Sequence, residues 1–378
     1  MSKLRIGDIC NIRTGKLDAN AACDEGAFPF FTCAKKPLRI NSYSFDCECV
    51  LLAGNGDFNV NIYNGKFDAY QRTYVIEVKN KECFLTKYLY YILKNKIQHF
   101  RDVSNGGIIK FIKLGDITDI EVPDLTIDEQ IDLVNKFDLC EKIIEENERQ
   151  IELYNESIYS YFYDKFGDPI LNNKNMPVVK LSEICTKITN GTTPKGGSVV
   201  YKDKGILFIR SQNVWNNDIR LKDIAYIDES INKTMLDSCL NHGDILITKT
   251  GRFNTENSSL GRSAIFDGED GSANINGHVY MVRLKKEINR RYILAILLSE
   301  QYHEYIRKVC VGGTDKRQLN KNHIEDFPIL FPDFSLQKQF GDFALKIDSL
   351  VTKTKNLIDY INEIYSSLLD KYLDTQKE

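Results

Sequence analysis

Residues 137–166 read FDLCEKIIEENERQIELYNESIYSYFYDKF. Apolar side chains fall at Phe137, Cys140, Ile144, Ile151, Tyr154, Ile158 and Tyr161, and Asn147 fills the gap between Ile144 and Ile151. The steps alternate three and four, the spacing that keeps one stripe of a helix against a partner helix. No Gly or Pro interrupts the chain from Ile127 to Phe166. A single helix of roughly 40 residues and about 60 Å is therefore predicted.

A second seam of the same alternation lies far downstream, in a helix predicted from about Ser335 to Leu373. It runs Phe340, Phe343, Ile347, Leu350, Thr354, Leu357, Ile361, Ile364 and Leu368. Asp124-Leu125-Thr126 and Asp333-Phe334-Ser335, following Pro123 and Pro332, supply the helix starts. The two helices are natural partners for each other. The predicted interface takes Phe137, Ile144, Asn147, Ile151, Tyr154 and Ile158 from the first, and Phe343 through Leu368 of the seam from the second. Asn147 and Thr354 each interrupt an apolar stripe. Each is either a register pin, satisfied in one pairing alone, or a polar residue facing water at a wide point.

Outward from the helices, the sequence repeats. Gly7-Asp8-Ile9-Cys10 matches Ser182-Glu183-Ile184-Cys185, and Gly56-Asp57-Phe58-Asn59 matches Gly251-Arg252-Phe253-Asn254. Gln71-Arg72-Thr73-Tyr74-Val75 falls on Gly277-His278-Val279-Tyr280-Met281, Gly106-Gly107 on Gly312-Gly313, and Pro123 with Gln130 on Pro332 with Gln339. The order never breaks, so the chain reads as two copies of one unit, the second carrying insertions. Each copy begins with short β-branched and aromatic runs, among them Cys49 to Leu52, Thr73 to Val78, Gly205 to Ile209, Asp244 to Thr248 and Val279 to Leu284. One helix follows (Thr86 to Phe100, then Arg290 to Val309), and then the long helix. The expected class is α+β. Two similar domains, residues 1–126 and 167–334, are each followed by a long helix, residues 127–166 and 335–378. If the copies are related by a pseudo-two-fold axis, the helices pair as an antiparallel coiled coil.

Composition bounds the function. At 378 residues with 42% hydrophobic and 27% charged residues, the chain is an ordinary globular protein. It has no apolar run of bilayer length and no apolar leader at its start, so a cytoplasmic location is expected and a membrane partner is not. Ten scattered cysteines without C-x-x-C spacing suggest reduced thiols and no structural metal. The net charge of −3 is unevenly spread. Residues 127–166 hold eleven acids against four bases, and residues 335–377 six of each. The excess of base sits in the two domains, which suits phosphate contact there and not along the rod.

Signatures of catalysis are missing. Gly191-Thr192-Thr193-Pro194-Lys195-Gly196-Gly197-Ser198 superficially resembles a phosphate loop, but Gly stands in place of the required Lys and Pro194 sits in its middle. Asp168-Pro169-Ile170 fails as a methyltransferase motif, Gly54-Asn55-Gly56 does not continue as a dinucleotide fingerprint, and the five histidines lack ligand spacing. Loops rich in paired donors and acceptors remain, the chemistry that reads base edges. In the first copy they offer Asn55, Asp57, Asn59, Gln71, Arg72, Lys110 and Lys113. In the second they offer Thr193, Lys195, Arg210, Gln212, Asn213, Lys249, Arg252, Asn254, His278, Thr314, Lys316 and Arg317. Glycine-rich loops with polar tips are also ordinary turns. The shared frame with different tips (Asp57 against Arg252, Ile108-Ile109 against Thr314-Asp315) suggests two different half-sites.

The layout resembles the specificity subunit of type I restriction-modification systems over essentially the whole chain. The passages that carry the resemblance are Ile188-Thr189-Asn190-Gly191-Thr192-Thr193-Pro194, Gly312 to Leu319, Asn276-Gly277-His278-Val279-Tyr280, and the two starts of the long helices. Lys338-Gln339 departs slightly from the family's usual acid-Gln or Gln-Gln, and the first copy lacks a counterpart of Thr192-Thr193-Pro194. The resemblance implies two target-recognition domains reading one bipartite, asymmetric site on double-stranded DNA, with the spacer helices fixing the gap. It implies docking of two modification (methyltransferase) subunits and of restriction subunits. No cofactor is expected on this chain: S-adenosylmethionine, ATP and Mg belong to those partners. The alternatives are a coiled-coil interaction scaffold without DNA specificity, or an enzyme with unrecognised motifs.

Overall fold

The computed structural model describes residues 2–107, 109–252, 258–313 and 315–373. The chain forms two compact units. One takes the chain up to Arg149 and resumes at Thr354; the other runs Gln150–Lys353. Each unit therefore holds one head and a piece of both long helices.

In the first unit a six-stranded sheet has the order Cys10–Thr14, Thr73–Val78, Phe45–Ala53, Val60–Ala69, Phe28–Phe31, Leu38–Ile40. Thr73–Val78 buries Val75, Ile76 and Val78, side chains from both faces, as expected of a central strand. The helix predicted over Thr86 to Phe100 is two helices, Thr86–Asn95 and Ile97–Val103. Thr86–Asn95 packs Tyr88, Leu89, Ile92 and Leu93 onto the sheet side of the core. The first long helix is Ile127–Phe166. Thr126 caps it: its amide and hydroxyl donate to Glu129 Oε2, holding that carboxyl below the usual range. Leu133, Val134 and Phe137 enter the core from this helix, Tyr365, Leu368, Leu369 and Tyr372 from the second, and Leu373 from just past its end. The Phe137 and Tyr365 rings are 5.1 Å apart, and Tyr365 donates to Glu141 at 3.2 Å.

The second unit repeats this plan with a broken sheet. Four strands run Cys185–Asn190, Val279–Leu284, Ile245–Thr248, Ser263–Ile265, and three run Ala225–Ile227, Ile206–Ile209, Ala273–Ile275. Where the first head has one ten-residue strand, Val60–Ala69, the second has Ser263–Ile265 and Ala273–Ile275 with Gly268 and Gly271 between them. The helix predicted from Arg290 to Val309 is interrupted at Ser299, whose hydroxyl accepts from the Tyr302 amide and starts Glu300–Val309 afresh. The second long helix is Phe334–Tyr372. Within this unit Tyr161 stacks on Phe343 at 4.5 Å, and Phe166 meets Phe340 at 5.8 Å. Later residues of one helix thus meet earlier residues of the other, as in the first unit, so the pieces pair antiparallel within each unit.

One detail of the helices differs from expectation. The counterpart of Gln130 is Gln337, not Gln339. Both Gln130 and Gln337 are fully buried and donate to the carbonyl five residues back, Leu125 and Pro332 respectively, whereas Gln339 is exposed. The offset is set by this buried amide rather than by the nearest matching letter. Asn147 is half-buried and donates to Ile143 O in its own helix at 2.7 Å. A bond to its own preceding turn specifies no partner, which favours the water-facing alternative over the register pin. Thr354 is half-buried as well, and Leu350 and Leu357 are 38% and 42% exposed. Ile347 and Ile361 are buried, and Ile144, Ile151, Tyr154, Ile158, Phe343, Ile364 and Leu368 are half-buried. Among the described residues no helix is long and apolar enough to cross a membrane, and no cluster of His, Cys, Asp and Glu is placed to hold a metal.

Candidate nucleic-acid interface

The candidate site residues come together because of strand direction. In the first head, Thr14 pairs with Tyr74, Ala53 with Thr73, and Phe31 with Ala69. The ends of Cys10–Thr14, Phe28–Phe31, Phe45–Ala53 and Val60–Ala69 therefore meet the start of Thr73–Val78, and the loops they emit share one edge. In the second head Asn190 pairs with Tyr280, Thr248 with Val279, and Ile209 with Ile275. The loops at 191–200, 210–213, 249–252 and 276–278 share the equivalent edge.

Close backbone approach locks that edge. A Cβ on Gly15 would lie 1.8 Å from Ala69 O, and one on Gly191 1.9 Å from Ile275 O. Glycine is required at both places because no side chain fits. A buried polar residue sits beside each crossing. Asp68 Oδ1 accepts from Ala69 N and Oδ2 from Ser44; Asn274 Oδ1 accepts from Ile275 N and from Ser238.

A second joint ties in the glycine-hinged loop. In the first head Gly54 N donates to Arg72 O, Ile112 N to Gly54 O, and Tyr74 Oη to Ile112 O. In the second, Lys249 N donates to His278 O, Leu319 N to Lys249 O, and Tyr280 Oη to Leu319 O. The joint places Asn55 beside Phe111, with Asp57, Gln71, Arg72, Lys110 and Lys113 exposed around it. In the second head it becomes a small sheet. Thr250–Arg252 pairs with Lys316–Gln318, and Arg252 stands opposite Lys316. His278 is exposed, with Nδ1 3.4 Å from Thr250 Oγ1. Lys249, Arg252, His278, Lys316 and Arg317 are thus one basic cluster. Thr193, Lys195 and Gln212 are exposed on the neighbouring loops. Asn254 and Thr314 lie outside the described residues.

Three of the predicted readers are committed inside the protein. Asn213 is buried; its Oδ1 accepts from Arg210 N and its Nδ2 donates to Arg220 O, so it shapes the loop and has no edge left for a base. Asn59 donates to Cys33 O at 3.0 Å. The Arg210 guanidinium lies over the Tyr201 ring and donates to Asp223 O.

Other residues of this edge were not predicted. Lys35 and Lys36 are exposed on the loop after Phe28–Phe31; two adjacent lysines after a β-branched and aromatic run were a readable signal. Trp215, the single tryptophan, lies between Arg220 and Arg262, each guanidinium 3.7 Å from the ring centroid. Burial and the neighbouring Arg220 lower the Arg262 pKa. Arg262 also donates to Ser258 O, at the return of the loop that begins at Thr250. No local spacing marks this stack, because Arg262 reaches the Trp215–Arg220 hairpin from a distant segment of the chain.

Residues 1–153 and 173–363 both match the family described as the Type I restriction modification DNA specificity domain. The chain belongs to this family. It carries two specificity domains, and each matched segment takes in one head and much of the long helix behind it. The EcoDI specificity subunit of Escherichia coli is 43% identical over 149 residues, 39% of this chain and 33% of that subunit. A putative type I specificity subunit of Mycoplasma pneumoniae is 30% identical over 188 residues, 47% of this chain and 60% of that protein. The matches thus span a third and three fifths of these relatives. The crystal structure of the type I restriction-modification S subunit from M. genitalium shares the fold, with a TM-score of 0.60 at 17% identity, covering 100% of this chain and 96% of that one.

Proposed function

We propose that this chain is the sequence-specific DNA-recognition subunit of a type I restriction-modification enzyme. Each head reads one half of a bipartite site, and the paired long helices set the gap. The observation that carries this reading is the pair of equivalent loop edges, built on the same backbone joints but tipped with different side chains. One frame with two chemistries suits two different base sequences. Arg72, Gln71, Lys110 and Lys113 act at the first half-site. Lys249, Arg252, His278, Lys316 and Arg317 act at the second; Lys35 and Lys36 meet phosphates beside the first half-site and Lys195 beside the second.

The chain supplies address and assembly rather than chemistry. Two modification subunits dock on it and methylate the target adenines, using S-adenosylmethionine that they hold, and restriction subunits join with ATP and Mg. The adenines leave the duplex for the partner's pocket. Mapping methylated adenines in DNA from cells with and without this gene tests the proposal. A single bipartite, asymmetric motif should be methylated with the gene and unmethylated without it. An identical methylation pattern in both would overturn the assignment.

A further inference from the structure

The joint shared by the two heads carries Gly54 in the first and Lys249 in the second, and a cavity lies beside it in the first. In the second head the residue at the joint is Lys249, whose Nζ stands 5.8 Å from the centroid of the Tyr280 ring. In the first head the same place is Gly54, and the corresponding ring is Tyr74. A Cβ on Gly54 would lie 2.9 Å from the Tyr74 ring and 2.5 Å from Arg72 O, so no side chain stands over that ring from this position. A cavity of about 260 Å³ lies here, lined by Thr14, Gln71, Arg72, Tyr74, Phe111 and Ile112 together with Gly54.

Its lining has a definite chemistry. The backbone groups at the base, Gly54 N and O and Ile112 N and O, are spent on the joint itself. They hold the shape and leave recognition to side chains. Two half-buried rings, Tyr74 and Phe111, offer π surface, while the exposed Gln71 and Arg72 offer an amide and a guanidinium at the mouth. The volume is below the roughly 300–1,000 Å³ typical of pockets for drug-sized ligands and suits one ring system. Aromatic faces with an adjacent amide and guanidinium are the means by which an unstacked base is held and its edge read.

We propose that this cavity is a nucleobase subsite, which takes one unstacked base of the first half-site against Tyr74 and Phe111 with its edge on Gln71 and Arg72. The proposal rests on the DNA-recognition reading above and adds to it an asymmetry: the second head, with Lys249 at the equivalent joint, reads its half-site from the groove alone.

The test uses the full chain in its complex with the modification subunits. Duplexes carry 2-aminopurine at each position of the mapped first half-site except the methylated adenine. One position should brighten several-fold on binding. Thr14→Trp fills the cavity from an exposed strand end and should return that position to the level of the free duplex. Arg72→Met, at the exposed rim, should reduce discrimination at that position several-fold without touching the core. Brightening that survives Thr14→Trp, or discrimination at that position unchanged by Arg72→Met, overturns the subsite. So does the absence of brightening at every position in a complex that still discriminates bases in the first half-site, an outcome that leaves the recognition reading standing. Loss of base discrimination in both half-sites of the wild-type complex would instead overturn the recognition reading, and the subsite with it.

Discussion

The two heads share a plan but not the means of holding it. In the first, a continuous ten-residue strand carries the sheet across from Phe45–Ala53 to Phe28–Phe31. In the second, that strand is broken, and the gap is secured by polar groups. Arg283 makes a two-pronged contact with Asp244, at 2.8 and 2.7 Å, and also reaches Cys239 O. Asn274 links Ser238, Asn232 and Met235 O. At the positions of Arg283 and Asp244 the first head has Glu77 and Cys49. Glu77 takes part in an exposed pair with Arg13, and Cys49 is buried, its thiol pushed well above the ordinary range chiefly by that burial. Insertion into a strand is thus tolerated where a buried, satisfied network replaces the lost ladder.

The largest expected effect separates the heads on this point. Arg283→Met leaves Asp244, only 2% exposed, without its partner and should destabilise the second head by about 3 kcal/mol. Trp215 lies in that head and is the only tryptophan, so its fluorescence reports the second head's unfolding by itself. The tryptophan transition should move to lower urea. A transition that stays in place would remove the network from the account.

A smaller contrast concerns the buried glutamines at the starts of the long helices. Gln130 makes three bonds, accepting from Leu85 N and donating to Cys83 O and Leu125 O. Gln337 donates to Pro332 O, and its Oε1 is buried with no hydrogen-bond partner among the described residues. Gln130→Leu should therefore cost about 2 kcal/mol, and Gln337→Leu under about 1 kcal/mol. Urea melts of the two variants by circular dichroism check the order; equal losses would show that the two helix starts are held alike.

The most local effect falls on recognition. Arg252→Ala removes an exposed guanidinium from the second head's basic cluster. It should reduce discrimination at one position of the second half-site by about 1–3 kcal/mol and leave the first half-site's preference intact. Methylation rates on duplexes altered in one half at a time measure this, and equal loss in both halves would break the modular reading.

Much of this was legible in the sequence, for physical reasons. An uninterrupted three-four spacing fixed the span of the first long helix, and β-branched runs such as Thr73–Val78 and Val279–Leu284 marked central strands. The duplication was visible at the hinges Gly106 and Gly312, where φ is +107° and +134° and both copies need glycine; the equivalence of Gly15 and Gly191 emerges only from the fold. What stayed hidden depends on contacts between distant segments. Asn213 looked like a reader because its type suits adenine, and only the fold shows its amide spent on the turn. The breaks at Ser299 and before Ile97 interrupt runs whose apolar spacing is helical throughout. Letters alone align Gln130 with Gln339 and do not reveal that Gln337 holds the buried amide.

The central claim is that the helices set the distance between two independent readers. Deleting seven residues, two helical turns, from the middle of both Ile127–Phe166 and Phe334–Tyr372 keeps the apolar stripe in phase and removes roughly 10 Å of rod. Mapping the methylated motif of this variant should give the same two half-sites with the gap shortened by about 3 base pairs, at roughly 3.4 Å each. Methylation of the original motif, with its gap unchanged, would contradict the account.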